Sequence, residues 1–409
     1  MEDSVQDQAV SEASEAAVSE AEGVVVSAEE AQVAAGKMKN TRLYLILFVF
    51  FALNINAQHT TDNSRIKLIF AGDIMGHDTQ IAAAKTEKGY NYDTCFSLLK
   101  PYIESADIAI ANLELTLAGP PYKGYPLFSS PDELASAIKK AGFDLLVTAN
   151  NHSLDRRKEG LERTLDVLDS LDIIRTGTFK TSGQRDSGYP LIIEKNNIRL
   201  AILNYTYGTN GIQVQSPNIV NITDKTMIRE DLEKASLAEP DFTLVTIHWG
   251  LEYQREENIQ QQELAEFMVA HGADAIIGSH PHVVQPIKKI KAGEKEGLVV
   301  YSLGNFISNQ RKRYTDGGIL FEMVIEKNSE TKIREYNYLP VWVYKAPADN
   351  GKKHFVLVPS IHDSSYYRSV FGMSKEDYQS LKLFNDDTVE HLKNVRRRDN
   401  KPEPGISSE

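Results

Sequence analysis

The sequence predicts an α/β protein whose sheet is covered by helices, and three observations carry that prediction. Short, β-rich apolar runs alternate with segments of helical spacing along most of the chain. The runs are nearly continuous rather than alternating with polar residues, as expected for strands buried on both faces. Six of them end on a polar group of the kind that binds metal or phosphate. With 409 residues, 41% of them hydrophobic, the chain can form one large α/β domain or two ordinary ones. It has no internal repeat and no clear two-domain break.

The elements follow in order. Ile66 to Gly72 reads as a strand that runs into Asp73, and Ala106 to Ala111 runs into Asn112-Leu113-Glu114. Ser130-Pro131-Asp132-Glu133 opens a helix to Ala141: serine suits the N-cap, proline the first turn, and two acids the positive end of the dipole. After Gly142, Phe143 to Ala149 reaches Asn150-Asn151-His152. Lys158 to Leu171 has Leu161, Leu165 and Leu168 at helical spacing, and Ile198 to Asn204 is another strand. Phe242 to Ile247 reaches His248-Trp249-Gly250, and Glu256 to His271 reads as a helix closed by Gly272. Ala273 to Gly278 leads to His280-Pro281-His282, and Leu298 to Gly304 to Asn305. Ile319 to Glu326 and Ile333 to Tyr344 read as later strands. From Lys345 the pattern weakens into a partly helical extension over 345–409, with a helix from Ser374 to Leu392.

Charge and targeting signals bound the function. The net charge is −12, and residues 1–37 alone hold nine acids against one lysine, so a nucleic-acid partner is not expected. The single cysteine, Cys95, excludes an intrachain disulfide and a cysteine-built metal site. From Met38 the chain reads Lys39, Arg42, an apolar stretch from Leu43 to Leu53, and Ala57 before Gln58. A basic start, a short apolar core and a small residue at the exit describe a signal peptide over 38–57 rather than a membrane span, which takes about 20 residues. Export to the periplasm or cell envelope is the expected localisation. Residues 1–37 are either a start codon assigned too early or an acidic disordered extension.

In parallel-type sheets the carboxyl ends of neighbouring strands converge, and ligands bind beyond them. A divalent metal wants carboxylate, imidazole and amide oxygen ligands, and two metals about 3.5–4 Å apart need a bridging carboxylate. Asp73, Glu114, Asn151, His248, His280 and His282 supply such a set, and His77 offers a seventh ligand. His280 and His282 flank Pro281, so one loop can face two metals. His152 is left free as an acid toward a leaving group. Other readings stand beside these: Asp73 capping a helix, His77 on that helix's surface, Asn151 in a turn, His248 and Trp249 as a packed core pair. Asn112, Arg156, Trp249, Glu252 and Asn305 are the candidates for touching substrate, Asn305 equally for a turn or for supporting a ligand.

The ordered motifs Gly72-Asp73-Ile74-Met75, Asn112-Leu113-Glu114, Ala149-Asn150-Asn151-His152, His248-Trp249-Gly250-Leu251-Glu252-Tyr253, Gly278-Ser279-His280-Pro281-His282 and Ser302-Leu303-Gly304-Asn305-Phe306 resemble those of the capsule-synthesis (CapA) family. That family is associated with poly-γ-glutamate synthesis and is similar in turn to the calcineurin-like metallophosphoesterases. The resemblance covers about Arg65 to Tyr344, giving a domain over 65–344. It implies a four-layer α-β-β-α sandwich with a dinuclear metal site. It also implies a bridging role for Glu114, one metal on Asp73 and His282, the other on Asn151, His248 and His280, and His152 beside the transferred group. Two departures from the phosphoesterase pattern are visible: Asp73 and His77 are four residues apart where two is usual, and glutamate replaces the bridging aspartate.

The expected function is that of an exported, dinuclear metal-dependent hydrolase or transferase, with manganese, iron or zinc, acting on an anionic polymer such as poly-γ-glutamate or on a small phosphoester. The alternative is a non-catalytic, polymer-binding component of a capsule synthesis and export complex. Membrane synthase or export partners follow from either. An anionic polymer would need a local basic cluster, for which Lys288 to Lys291 and Arg311 to Arg313 are the candidates, each equally readable as a solvated face.

Overall fold

A computed structural model describes residues 64–347 and 353–398. The acidic extension and the signal-peptide segment lie outside the described residues. No helix among the described residues is long and apolar enough to cross a membrane.

The first sheet is built around β1 (Ser64–Ile74), β2 (Ile108–Leu113), β3 (Leu145–Val147) and β4 (Ile174–Thr176), all parallel. On the other side of β1 it continues through β14 (Gly317–Lys327), β15 (Thr331–Pro347) and β16 (Lys353–Pro359), each antiparallel to its neighbour. Short β13 (Asn305–Ile307) pairs with the end of β1, Asp73 opposite Asn305. The second sheet has the order β11 (Ile287–Ala292), β12 (Lys295–Val300), β10 (Ala275–Ser279), β9 (Phe242–His248), β7 (Ile198–Thr206), β6 (Leu191–Lys195). Its central strands β12, β10, β9 and β7 are parallel, so their carboxyl ends share one edge. A two-stranded piece joins β5 (Thr178–Phe179) and β8 (Ile219–Val220).

Side chains alternate across each strand and so sort into layers. Leu68 and Phe70 of β1 and Ile110 of β2 meet Leu200 and Ile202 of β7, Leu244 of β9 and Ile277 of β10 in one core between the sheets. The intervening residues, Ile69, Ala71, Ala109 and Ala111, face outward onto Leu134 and Ile138 of helix α1 (Asp132–Lys140). Leu203, Tyr205 and Val245 face the opposite way, onto α3 (Lys225–Leu237) and α4 (Ile259–Ala270). Helix α2 (Arg157–Ser170) flanks the first sheet near β4 and β5. The result is an α-β-β-α sandwich of two helix-covered sheets.

Several boundaries move for local reasons. Pro131, not Ser130, is the N-cap of α1, and Ser130 is buried with its N–H bonded to Thr116 O at 2.9 Å. Helix α4 starts three residues later than Glu256 because Asn258 caps it, accepting the Gln261 N–H at 2.9 Å. The weak pattern after Lys345 conceals ordered structure: β15 runs through Tyr344 to Pro347, and β16 extends the sheet. Two helices, α5 (Ser364–Phe371) and α6 (Lys375–His391, capped by Ser374), cover Trp342, Tyr344, Val356 and Val358 with Tyr367, Leu381 and Phe384.

Candidate metal centre

The end of β1 is shaped by a close backbone approach. A Cβ on Gly72 would stand 1.9 Å from Gly304 O, so only glycine lets the two segments meet. The Asp73 N–H donates to that carbonyl at 3.1 Å, and the register with β2 breaks between Ala71 and Asp73. This bulge carries the fully buried Asp73 carboxylate into the gap between the sheets.

Asp73 Oδ1 accepts from Asn112 Nδ2 at 2.8 Å, and Oδ2 lies 3.1 Å from His282 Nδ1. Burial opposes ionisation of Asp73, but the His282 and Asn112 contacts outweigh it and hold the carboxyl below its ordinary value. His282 Nδ1 is also 3.1 Å from Asn305 Oδ1, while Asn305 Nδ2 donates to Thr315 O at 2.7 Å. Two acceptors on Nδ1 place the ring proton there and leave the Nε2 lone pair facing Glu114 Oε1 at 3.9 Å. Asn305 therefore orients a histidine rather than forming a turn alone.

Glu114 follows β2 and is fully buried. Among the described residues no donor hydrogen-bonds either of its carboxylate oxygens. His248 Nε2 is 3.5 Å from Oε1. Burial, and then the charge of Asp73, push the Glu114 carboxyl well above its ordinary value. A buried carboxylate left this way is strongly destabilising unless a cation joins it.

The ligand atoms fall into overlapping groups. Those of Asp73, Glu114 and His282 lie within 4.8 Å of one another, and so do those of Glu114, His248 and His280. Glu114 is common to both. His248 ends β9, and His280 and His282 sit in the loop after β10 with φ of 100° and 58°. Positive φ at two non-glycine residues costs about 1–3 kcal/mol each and persists where the surroundings fix it for a purpose. Asn151 Oδ1 is 3.0 Å from His248 Nε2. Burial keeps His248 well below its ordinary value and His280 at about 3, so both rings are neutral and able to donate a lone pair. Buried His280 Nδ1 has no hydrogen-bond partner among the described residues. A neutral imidazole pair, an unpaired carboxylate common to two groups and an amide oxygen fit divalent ions such as manganese, iron or zinc.

His152 stands beside this cluster. Its Nδ1 is 2.7 Å from Asp155 Oδ2, its N–H donates to Asn150 Oδ1 at 3.1 Å, and its ring meets Phe128 edge-on at 4.7 Å. Asn150 Nδ2 donates to Leu113 O at 2.7 Å, pinning the backbone just before Glu114.

Three expected site residues make contacts outside the ligand groups. His77 is the N-cap of the short helix Asp78–Ala84; the Asn309 N–H points at its Nδ1 from 3.2 Å, and none of the ligand groups includes it. The four-residue spacing explains this, because it carries His77 past the bulge and onto the helix start. Trp249 is buried on the outer face of the second sheet, stacked on Tyr301 with Nε1 donating to Tyr301 O at 2.9 Å. Alternation along the strand sends it opposite to His248. Arg156 turns to Pro121 O at 3.4 Å. Glu252, by contrast, is exposed at the rim, and its carboxylate forms a third group with His280 and His282.

Sequence reasoning missed three contributors. Asp155 lies one turn after His152, a visible His-x-x-Asp spacing. Tyr207 follows the end of β7 on the same edge, its ring 4.6 Å from that of His280. Ser279 Oγ is 3.1 Å from His248 Nδ1. A cleft of about 480 Å³ lined by Asp241, His271, Asp274 and Lys295 opens at the other edge of the second sheet, where β9 and β10 begin, away from the cluster.

The two helix-covered sheets gather carboxylates, imidazoles and amides where strands from both sheets end, which defines an α/β sandwich protein with a candidate metal centre. Residues 67–310 match the family model of the bacterial capsule synthesis protein PGA_cap, and the chain belongs to that family. It is 28% identical over 283 residues to the capsule biosynthesis protein CapA of Bacillus anthracis, covering 65% of this chain and 66% of that one. Similarity to the PGA biosynthesis protein CapA of Bacillus subtilis (strain 168) is 26% over 319 residues, covering 75% and 80%. The aligned segment thus spans just under two thirds of the first relative. Among solved structures, the calcineurin-like phosphoesterase YfkN from Bacillus subtilis superposes with a TM-score of 0.43 and 13% identity, covering 81% of this chain and 99% of that one.

Proposed function

We propose that this protein is an exported, metal-dependent hydrolase or transferase of poly-γ-glutamate capsule biosynthesis, acting at a phosphoryl or acyl centre of an anionic polymer or its precursor. The observation that carries the reading is Glu114: a buried carboxylate without a donor, shared by two sets of ligand atoms. Asp73, Glu114 and His282 would hold one divalent ion, and Glu114, Asn151, His248 and His280 the other. Such ions supply Lewis acidity and neutralise charge that develops on the reacting group.

The chain's own groups do the rest. Asp155 accepts the Nδ1 proton of His152, which fixes the tautomer and leaves Nε2 to exchange a proton with a leaving group. Asn112 and Asn305 hold Asp73 and His282, so neither ligand has to reorganise on loading. Export rests on the sequence of residues 38–57.

The test combines metal content by elemental mass spectrometry with a turnover screen on phosphoesters and γ-glutamyl peptides. The protein should hold about two ions per chain, Glu114→Gln should lose them, and His152→Ala should keep them while losing turnover. A folded preparation that takes up no manganese, iron or zinc sinks the dinuclear reading. Full function in His152→Ala would instead favour the polymer-binding component.

A further inference from the structure

Four basic side chains form no close ion pair among the described residues: Lys312, Arg311, Lys345 and Lys353. Their neighbour Arg313, by contrast, is paired with Asp387 at 2.8 Å. The first of the four connects to the centre directly. Lys312 Nζ lies 5.0 Å over the Tyr253 ring, and that ring is 6.1 Å from His282. Arg311, the residue before it, turns the other way. Its Nη1 donates to Val343 O at 2.6 Å and its guanidinium sits 5.7 Å over the Phe355 ring. Asp316, the carboxylate facing Arg311, is committed to Trp342 Nε1 at 2.6 Å.

Lys345 lies directly opposite Phe355 in the β15–β16 ladder, with Nζ 5.4 Å over the same ring. Lys353 is two residues before Phe355 and so shares its face. These residues, with Thr79, Ala82 and Ala83 of the helix that His77 caps, line an open cleft of about 300 Å³. Crowding cations around one aromatic ring is unfavourable by itself. Burial, and then the charges of Arg311 and Lys353, lower the Lys345 ammonium below its ordinary value. An anion in the cleft removes that repulsion.

We propose that Lys312, Arg311, Lys345 and Lys353 form a basic track that carries a flexible polycarboxylate chain, of the γ-linked polyglutamate kind, away from the metal centre. Successive carboxylates would meet the guanidinium and ammonium groups, and the polymer's methylenes would lie along Ala82 and Ala83. Spaced point charges on long stems suit a repeating carboxylate of variable conformation better than one rigid anion. The track rests on the proposed function for its ligand class, but not on catalysis or metal loading.

The test is binding of fluorescent poly-γ-glutamate oligomers to the full chain, with and without added manganese, over a range of salt. Lys345→Gln with Lys353→Gln should weaken binding about tenfold and flatten its salt dependence, since each lost contact removes part of the electrostatic attraction. Melting temperature and metal content should stay unchanged. Equal affinity in the double variant overturns the track. So does equally tight binding of inorganic polyphosphate, which would reduce the cluster to a general anion surface. If the oligomer binds through these lysines while no metal loads and no ester turns over, the track stands and the enzymatic reading falls.

Discussion

His152 Nδ1 and Asp155 Oδ2 face each other at 2.7 Å, and the same carboxylate oxygen accepts the Phe128 N–H at 2.7 Å. The pair is buried, and burial raises the Asp155 carboxyl above its ordinary value despite the imidazole beside it. Asp155→Asn keeps the shape but allows the other tautomer of His152. kcat should fall about 100-fold or more with metal content unchanged. A variant with wild-type kcat would mean that the pair serves packing alone.

Glu114→Gln should separate stability from function. The carboxylate is destabilising in the metal-free fold, and an amide of the same size removes the charge. The metal-free variant should melt at a higher temperature than the metal-free parent. It should also lose most of the further rise that manganese or zinc gives the parent. Differential scanning calorimetry with and without ions reads both effects.

Metal-free stability should fall on acidification from about pH 6.5. His280 is held at about 3 and His77 at about 4, chiefly by burial, and His248 well below its ordinary value. Below the unfolded value of 6.5 the unfolded chain binds protons that these folded rings refuse, so acid favours unfolding. Glu114 acts in the opposite sense: its raised carboxyl takes up a proton in the folded state above 4.5, where the unfolded chain has lost it. Asp155, Asp274 and Asp316, raised by burial, act as Glu114 does, and His391, lowered by burial, acts with the other imidazoles. Between pH 7 and pH 5 the imidazoles, which ionise from 6.5 in the unfolded chain, set the sign. Melting curves from pH 7 to pH 5 would contradict this if the midpoint rose.

His77→Ala should take up as much metal as the parent, because the ring already accepts from the Asn309 N–H and stands outside the ligand groups. Its cost is a loosened helix start and a lost hydrogen bond, about 1 kcal/mol. Loss of half the metal in this variant would restore His77 as a ligand.

Trp249→Phe should cost about 1–3 kcal/mol through the lost bond to Tyr301 O and the space left behind, with KM unchanged in the protein that remains folded. A raised KM would place the indole at the substrate after all.

The fold was legible because its signals are local. Continuous apolar runs such as Leu244 to Ile247 name buried strands, and Ser374 marks the start of α6 to the residue. The last strand was not legible, since Lys353-His354-Phe355 begins as an edge strand whose charges mask the period until Val356 to Val358. The site divides in the same way. Each motif announces a strand end, so Asp73, Glu114, His248, His280 and His282 could be named beforehand. Asp155 had a readable spacing but no reason to be singled out without His152 beside it in space.

The sequence by itself determined the layers, the edge on which polar groups collect and the residue types delivered there, because strand periodicity and chain order are local properties. Tertiary structure decided which of those groups face each other. A bulge at Gly72 turns Asp73 inward, alternation sends Trp249 to the opposite face from His248, and the helix start holds His77 outside the ligand groups. It also left Glu114 without a donor between two histidine-bearing groups. That relation depends on distances between segments more than a hundred residues apart, which no local pattern encodes.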